Sequence, residues 1–144
     1  MKKKPKQFTT MKKYLLLAIL IAISVLTSCQ VTKTITMVNA KGSTNKDEME
    51  FLKSKGQHVA FLNLSEEQKI KAVTIWQREK RELGDAYSKK NKEIAPIIYK
   101  SENDFRSILT EEQLANYKET YKSRYTPAGL NDKQLAELKR IYKL

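Results

Sequence analysis

The chain is 144 residues long, with 28 Lys and Arg against 16 Asp and Glu and a formal net charge of +12. That length holds one small domain plus a tether and excludes two domains. A single cysteine, Cys29, excludes an internal disulfide, and a single histidine, His58, provides no recognisable set of transition-metal ligands.

In chain order the first element is an export signal. Lys2, Lys3, Lys4, Lys6, Lys12 and Lys13 lead into an apolar block over residues 14–26, small residues follow, and Cys29 closes the pattern. The block is 13 residues long, whereas crossing the hydrocarbon core takes roughly 20, so it predicts a cleaved signal and not an anchor. Leu26-Thr27-Ser28-Cys29 resembles the bacterial lipobox, in which the thiol is alkylated with diacylglycerol and the chain is cut just before the cysteine. The resemblance implies a signal peptide over residues 1–28 and a mature protein that begins at lipidated Cys29, bound to a membrane and facing the periplasm. Lipoprotein sorting retains chains with Asp after the cysteine in the inner membrane; Gln30 stands here, which implies the outer membrane. Met11 provides a second start with the same mature product. Removing residues 1–28 takes away six lysines and no acid, leaving 22 basic and 16 acidic side chains. This moderate surplus alternates with Glu in "REKREL" and "KKNKE", the pattern of solvated helix faces. Nucleic acid is not an expected partner for an exported chain of this kind.

Residues 29–60 read as the lipidated N-terminus and a tether. "VTKTITMV" over residues 31–38 is rich in β-branched side chains and suits a short extended strand, and "NAKGSTNKD" collects turn formers. Residues 47–56, "DEMEFLKSKG", place acids first, lysines later and glycine last, the polarity of a short helix docking through Met49, Phe51 and Leu52.

The domain over residues 61–144 carries an internal repeat. "LSEEQ" at residues 64–68 recurs as "LTEEQ" at residues 109–113, 45 residues later, and "LNDKQ" follows at residues 130–134. Ser65, Thr110 and Asn131 are good N-caps. The glutamine three residues on, Gln68, Gln113 or Gln134, can reach back to the cap's own N–H and complete a capping box. Glu66, Glu67, Glu111, Glu112 and Asp132 fall in the first turn, where the helix dipole favours negative charge. Beyond each glutamine the fourth residue is Ala72, Tyr117 or Leu138, the seventh Ile75, Thr120 or Ile141, and the eighth Trp76, Tyr121 or Tyr142. These offsets share one helix face, so each unit opens with a cap and continues as a partly aromatic stripe.

The first long helix is expected from Glu66 towards Lys92, with Ile70, Val73, Trp76, Leu83 and Tyr87 buried. Pro96 breaks it near Ala95, because the residue before proline is driven from helical angles and the ring clashes with the preceding turn. A second helix with Pro96 in its first turn carries Ile97, Ile98, Phe105 and Ile108. Thr110 caps a third, ending near Tyr125; "YTPAG" turns the chain, and Asn131 caps the last. The fold class expected is all-α, a small bundle or curved arrangement of three to four helices.

Leu64, Ser65 and Gln68, repeated as Leu109, Thr110 and Gln113 in a small exported chain, resemble the LTxxQ-motif (Spy/CpxP-like) family of periplasmic proteins. The matched segment covers residues 62–124. The resemblance implies a helical homodimer with a concave face that works in envelope stress, in some members as an ATP-independent chaperone for unfolded clients and in others through a sensor kinase. Metal binding, known in some relatives, does not carry over, because His58 stands alone outside the matched segment. The lipid anchor and the Pro96 break depart from the family pattern.

No nucleophile–base pairing, Gly-rich phosphate loop or metal motif is present, so an enzyme is not expected and no cofactor is implied. The leading expectation is a lipid-anchored chaperone whose candidate client surface comprises Lys69, Lys71, Trp76, Arg78, Lys80 and Arg81, cationic groups beside an apolar stripe. The competing expectation is a structural or regulatory lipoprotein that binds one folded envelope partner, such as a sensor domain.

Overall fold

The computed structural model describes residues 46–87, 94–122 and 129–144. Cys29, the signal block and the 31–38 segment lie outside the described residues, as do the expected helix end at Lys92 and the turn over residues 125–128. The described residues fall within one compact unit, Thr32–Leu144. They form five helices and no strand: α1 (Glu48–Val59), α2 (Glu66–Tyr87), α3 (Ile94–Ser107), α4 (Glu111–Tyr121) and α5 (Asp132–Tyr142), with a single 3-10 turn at Ala60–Leu62 between α1 and α2. The fold is all-α.

Helix α1 is longer than the sequence suggests and packs into the folded unit, so residues 48–59 of the stretch read as a tether are helical. Asp47 caps it by accepting from the Glu50 N–H, and Gly56 does not stop it. Phe51 and Val59 are buried in the main core, which holds the helix together past the weak position. Met49 corrects the expected docking triad: it is 77% exposed, while Phe51 is buried and Leu52 packs at the core's edge.

Helices α2 and α3 make the most extensive contact, as an antiparallel pair; α1 packs on α2, and α5 on α3. Pro96 lies in the first turn of α3, where its missing N–H removes no helical hydrogen bond. The main core joins Phe51, Val59 and Leu62 to Ala72, Ile75 and Trp76 of α2, Phe105 of α3, and Tyr117 and Tyr121 of α4. An aromatic file runs through it: Trp76 to Phe105 at 5.5 Å, Phe105 to Tyr117 at 5.6 Å and Tyr117 to Tyr121 at 4.8 Å between ring centroids, the last two edge-on. Leu83, Ala86 and Ile94 form a second cluster at the α2–α3 end. In a third, Leu130, Leu135 and Leu138 seat α5 on Ala95 of α3.

Two expected core positions are corrected. Ile70 is 68% exposed and Val73 is 37% exposed. The repeat explains why: Ala72, Tyr117 and Leu138, each four residues past its glutamine, are fully buried. At about 100° per residue, Val73 lies roughly 60° beyond that stripe and Ile70 roughly 120° beyond it. The Tyr87 side chain lies outside what is described.

Candidate functional site

The two sequence boxes meet head to head. Ser65 Oγ accepts from the Gln68 N–H at 3.2 Å, and Gln68 Oε1 accepts from the Ser65 N–H at 2.9 Å. Thr110 and Gln113 repeat this at 3.2 and 3.0 Å, and Asn131 and Gln134 at 2.9 Å in both directions. A capping box uses only the glutamine's oxygen. The amide nitrogens are therefore left to cross between helices: Gln68 Nε2 donates to Gln113 Oε1 at 2.7 Å and to the Ile108 carbonyl at 2.8 Å. In return Gln113 Nε2 donates to Gln68 Oε1 at 3.2 Å and to the Leu62 carbonyl at 3.1 Å. A carboxylate could cap but could not donate, so the clasp requires Gln at both positions. Leu64 and Leu109 flank it, packed on the main core.

The cationic positions expected to form one client surface do not share a face. On α2, at about 100° per residue, Lys69, Trp76 and Lys80 project to one side and Lys71 and Arg78 to the other. Lys69 pairs with Glu66 and Lys71 with Glu67, each at 2.6 Å. The Arg78 guanidinium reaches Asp104 at 2.6 Å. The Lys80 ammonium donates to the Lys46 carbonyl and lies over the Phe51 ring, and Arg81 is exposed. Trp76, expected both among the buried positions of the helix and on the client surface, lies in the core: it is 6% exposed, its indole one end of the aromatic file.

In place of a cationic stripe, the α1–α2 side carries an apolar groove of about 550 Å³. Leu52, Val59, Leu64, Ala72, Val73 and the edge of Trp76 line it, with Lys69 on the rim. Gly56 faces open space there, since a Cβ added to it meets nothing within 4 Å. Exposed Met49 precedes Leu52 by one turn of α1, and exposed Ile70 precedes Val73 by one turn of α2. The sequence holds the signal for this surface: both are apolar positions off the repeat's buried stripe.

Two buried carboxylates escaped the sequence reading. Glu79 of α2 accepts from Lys55 of α1 at 2.9 and 3.0 Å and from Ser101 of α3 at 2.5 Å, so one side chain ties three helices. It stands eleven residues past Gln68, on the buried stripe, which is the signal that would have found it. Glu102 of α3 is 7% exposed. It accepts from Arg106 at 2.8 Å and from the Tyr117 hydroxyl at 3.0 and 3.2 Å. Burial raises the Glu102 carboxyl above the ordinary carboxylate range despite the adjacent guanidinium, and burial with the facing carboxylate raises the Tyr117 phenol. Arg106 continues to Asp132 and the Leu130 carbonyl, and its hydrogen bond holds Asp132 below the usual range.

Among the described residues no cluster of three or more His, Cys, Asp and Glu side chains could hold a metal ion. No helix among them is long and apolar enough to cross a membrane. No family model, curated protein or solved structure matches this chain.

Proposed function

We propose that this chain is a lipid-anchored, ATP-independent chaperone of the periplasmic envelope, of the LTxxQ (Spy/CpxP-like) type. It holds apolar segments of unfolded clients in the α1–α2 groove and is tethered through Cys29. The observation that carries the reading is the groove itself: an open apolar surface beside exposed Met49 and Ile70, where the other apolar side chains among the described residues, Phe61 and Leu144 apart, largely close into core. Two LTxxQ boxes behind an export signal support the family resemblance. Lys69, which lines the groove, adds long-range attraction for acidic segments of a client.

Gly56 permits a clean test. Gly56→Glu places a charge into the open apolar groove and gains helix propensity of up to about 1 kcal/mol, so the fold is kept while the groove is made polar. Residues 30–144 at several-fold excess should suppress light scattering by an aggregating unfolded protein without nucleotide, and the Gly56→Glu variant should lose that suppression with its thermal midpoint unchanged or raised. Equal suppression by both would reject the groove as the holding surface. No suppression by either, with crosslinking instead recovering one stoichiometric partner, would favour a regulatory lipoprotein.

A further inference from the structure

The groove between α1 and α2 is not uniform along its length. Its walls run antiparallel, because Glu48 at the start of α1 accepts from Gln77 in the middle of α2. Leu52 and the edge of Trp76 therefore mark one end, while Val59 and Ala60 meet the first turn of α2 at the other. The polar side chains of the lining, Asn63 and Lys69, both stand at this second end. The groove is thus an apolar trough with a cationic mouth. Its volume of about 550 Å³ is that of a small-molecule site, and from Leu52 to Ala60 it is roughly 12 Å long at the helical rise per residue.

We propose that this trough binds one free fatty acid, its alkyl chain along the apolar floor and its carboxylate at Lys69. Charge complementarity sets the direction, since the one cation of the lining stands at one end. Lys69 already pairs with Glu66 at 2.6 Å, but both side chains are more than half exposed. Such a pair contributes little, and an ammonium has three donors, so a second carboxylate can be accepted there. The walls favour an alkyl chain. Helices bond their own main-chain groups, so an extended peptide could pair none of its N–H and C=O groups along the trough, whereas an alkyl chain has none to pair. A diacyl lipid brings a second chain for which the trough has no course, and an esterified acyl chain has no free carboxylate for Lys69. The site does not depend on client holding, which is read by light scattering and can fail separately.

The test is equilibrium dialysis of hexanoate, octanoate, decanoate and dodecanoate, below their micelle concentrations, against residues 30–144, which keep the compact unit. Emission from Trp76, the only tryptophan, reports occupancy of the groove. Each added methylene should tighten binding by up to about fourfold while it still finds apolar wall, and the gain should end once the chain outgrows the trough. Decanoate should bind at one molecule per chain, about two- to fivefold more tightly than decanol, the range of an exposed ion pair. Lys69→Gln should remove that preference without weakening decanol, Glu66→Gln should enlarge it by removing the competing carboxylate, and Gly56→Glu should abolish both ligands. Decanol held as tightly as decanoate by the native chain would overturn the proposal, the groove then reading only the chain and admitting esterified lipid as well. No saturable uptake of decanoate, uptake that survives Gly56→Glu, or a preference that survives Lys69→Gln would overturn it too.

Discussion

Replacing Gln113 by glutamate separates the two tasks of the motif glutamine. Glutamate keeps the acceptor for the Thr110 N–H, so the capping box of α4 survives. It removes both Nε2 donations, to the Leu62 carbonyl at 3.1 Å and to Gln68 Oε1 at 3.2 Å. Each partly buried hydrogen bond contributes about 1 kcal/mol net, so the loss is about 2 kcal/mol before the new carboxylate's repulsion of those two oxygens is added. For a domain of this size each kcal/mol moves the thermal midpoint by roughly 4–8 °C, which predicts a fall of about 10 °C or more by circular dichroism. Thr110→Ala is the calibrating partner: it breaks the cap, leaves the clasp, and should cost about 1 kcal/mol. Acidification that protonates the introduced carboxyl should recover part of the loss, because a neutral acid can donate. If Gln113→Glu cost no more than Thr110→Ala, the glutamine would be a cap alone and the clasp would carry no energy.

Gly129→Ala should destabilise by about 1–3 kcal/mol, since its methyl must displace the Tyr117 hydroxyl; denaturant titration with an unchanged midpoint would contradict that geometry. Leu83→Ala empties a buried site at the α2–α3 end and should cost about 2–5 kcal/mol in the same titration. Cys29→Ser should release the protein from the membrane fraction, and continued co-sedimentation with membranes would mean that the apolar block over residues 14–26 is retained.

The caps were the most legible feature, because capping is a local bargain between a side chain and a backbone three residues away. Ser65, Thr110 and Asn131 needed no tertiary information. The repeat register also located the innermost residues, Ala72, Tyr117 and Leu138. Apolar character alone misled at Ile70 and Val73, which look like core but lie off the stripe, whereas Trp76, on the stripe, is buried against Phe105. What no local pattern could reveal was the pairing of distant groups. Glu79 with Lys55 and Ser101, and Glu102 with Tyr117 and Arg106, read as ordinary solvated charges until the helices bring them together. The groove was likewise invisible, since it exists only between two helices, with Gly56 on its wall.

The reciprocal amides of Gln68 and Gln113 bind the evolutionary fates of two positions 45 residues apart. A change at either one strands a donor or an acceptor on the other, so drift at one position is tolerated only with a matching change at its partner. Descendants of this sequence should keep both glutamines or exchange them jointly, and the duplicated pentapeptide should persist as a pair under selection even where the helices it begins have diverged.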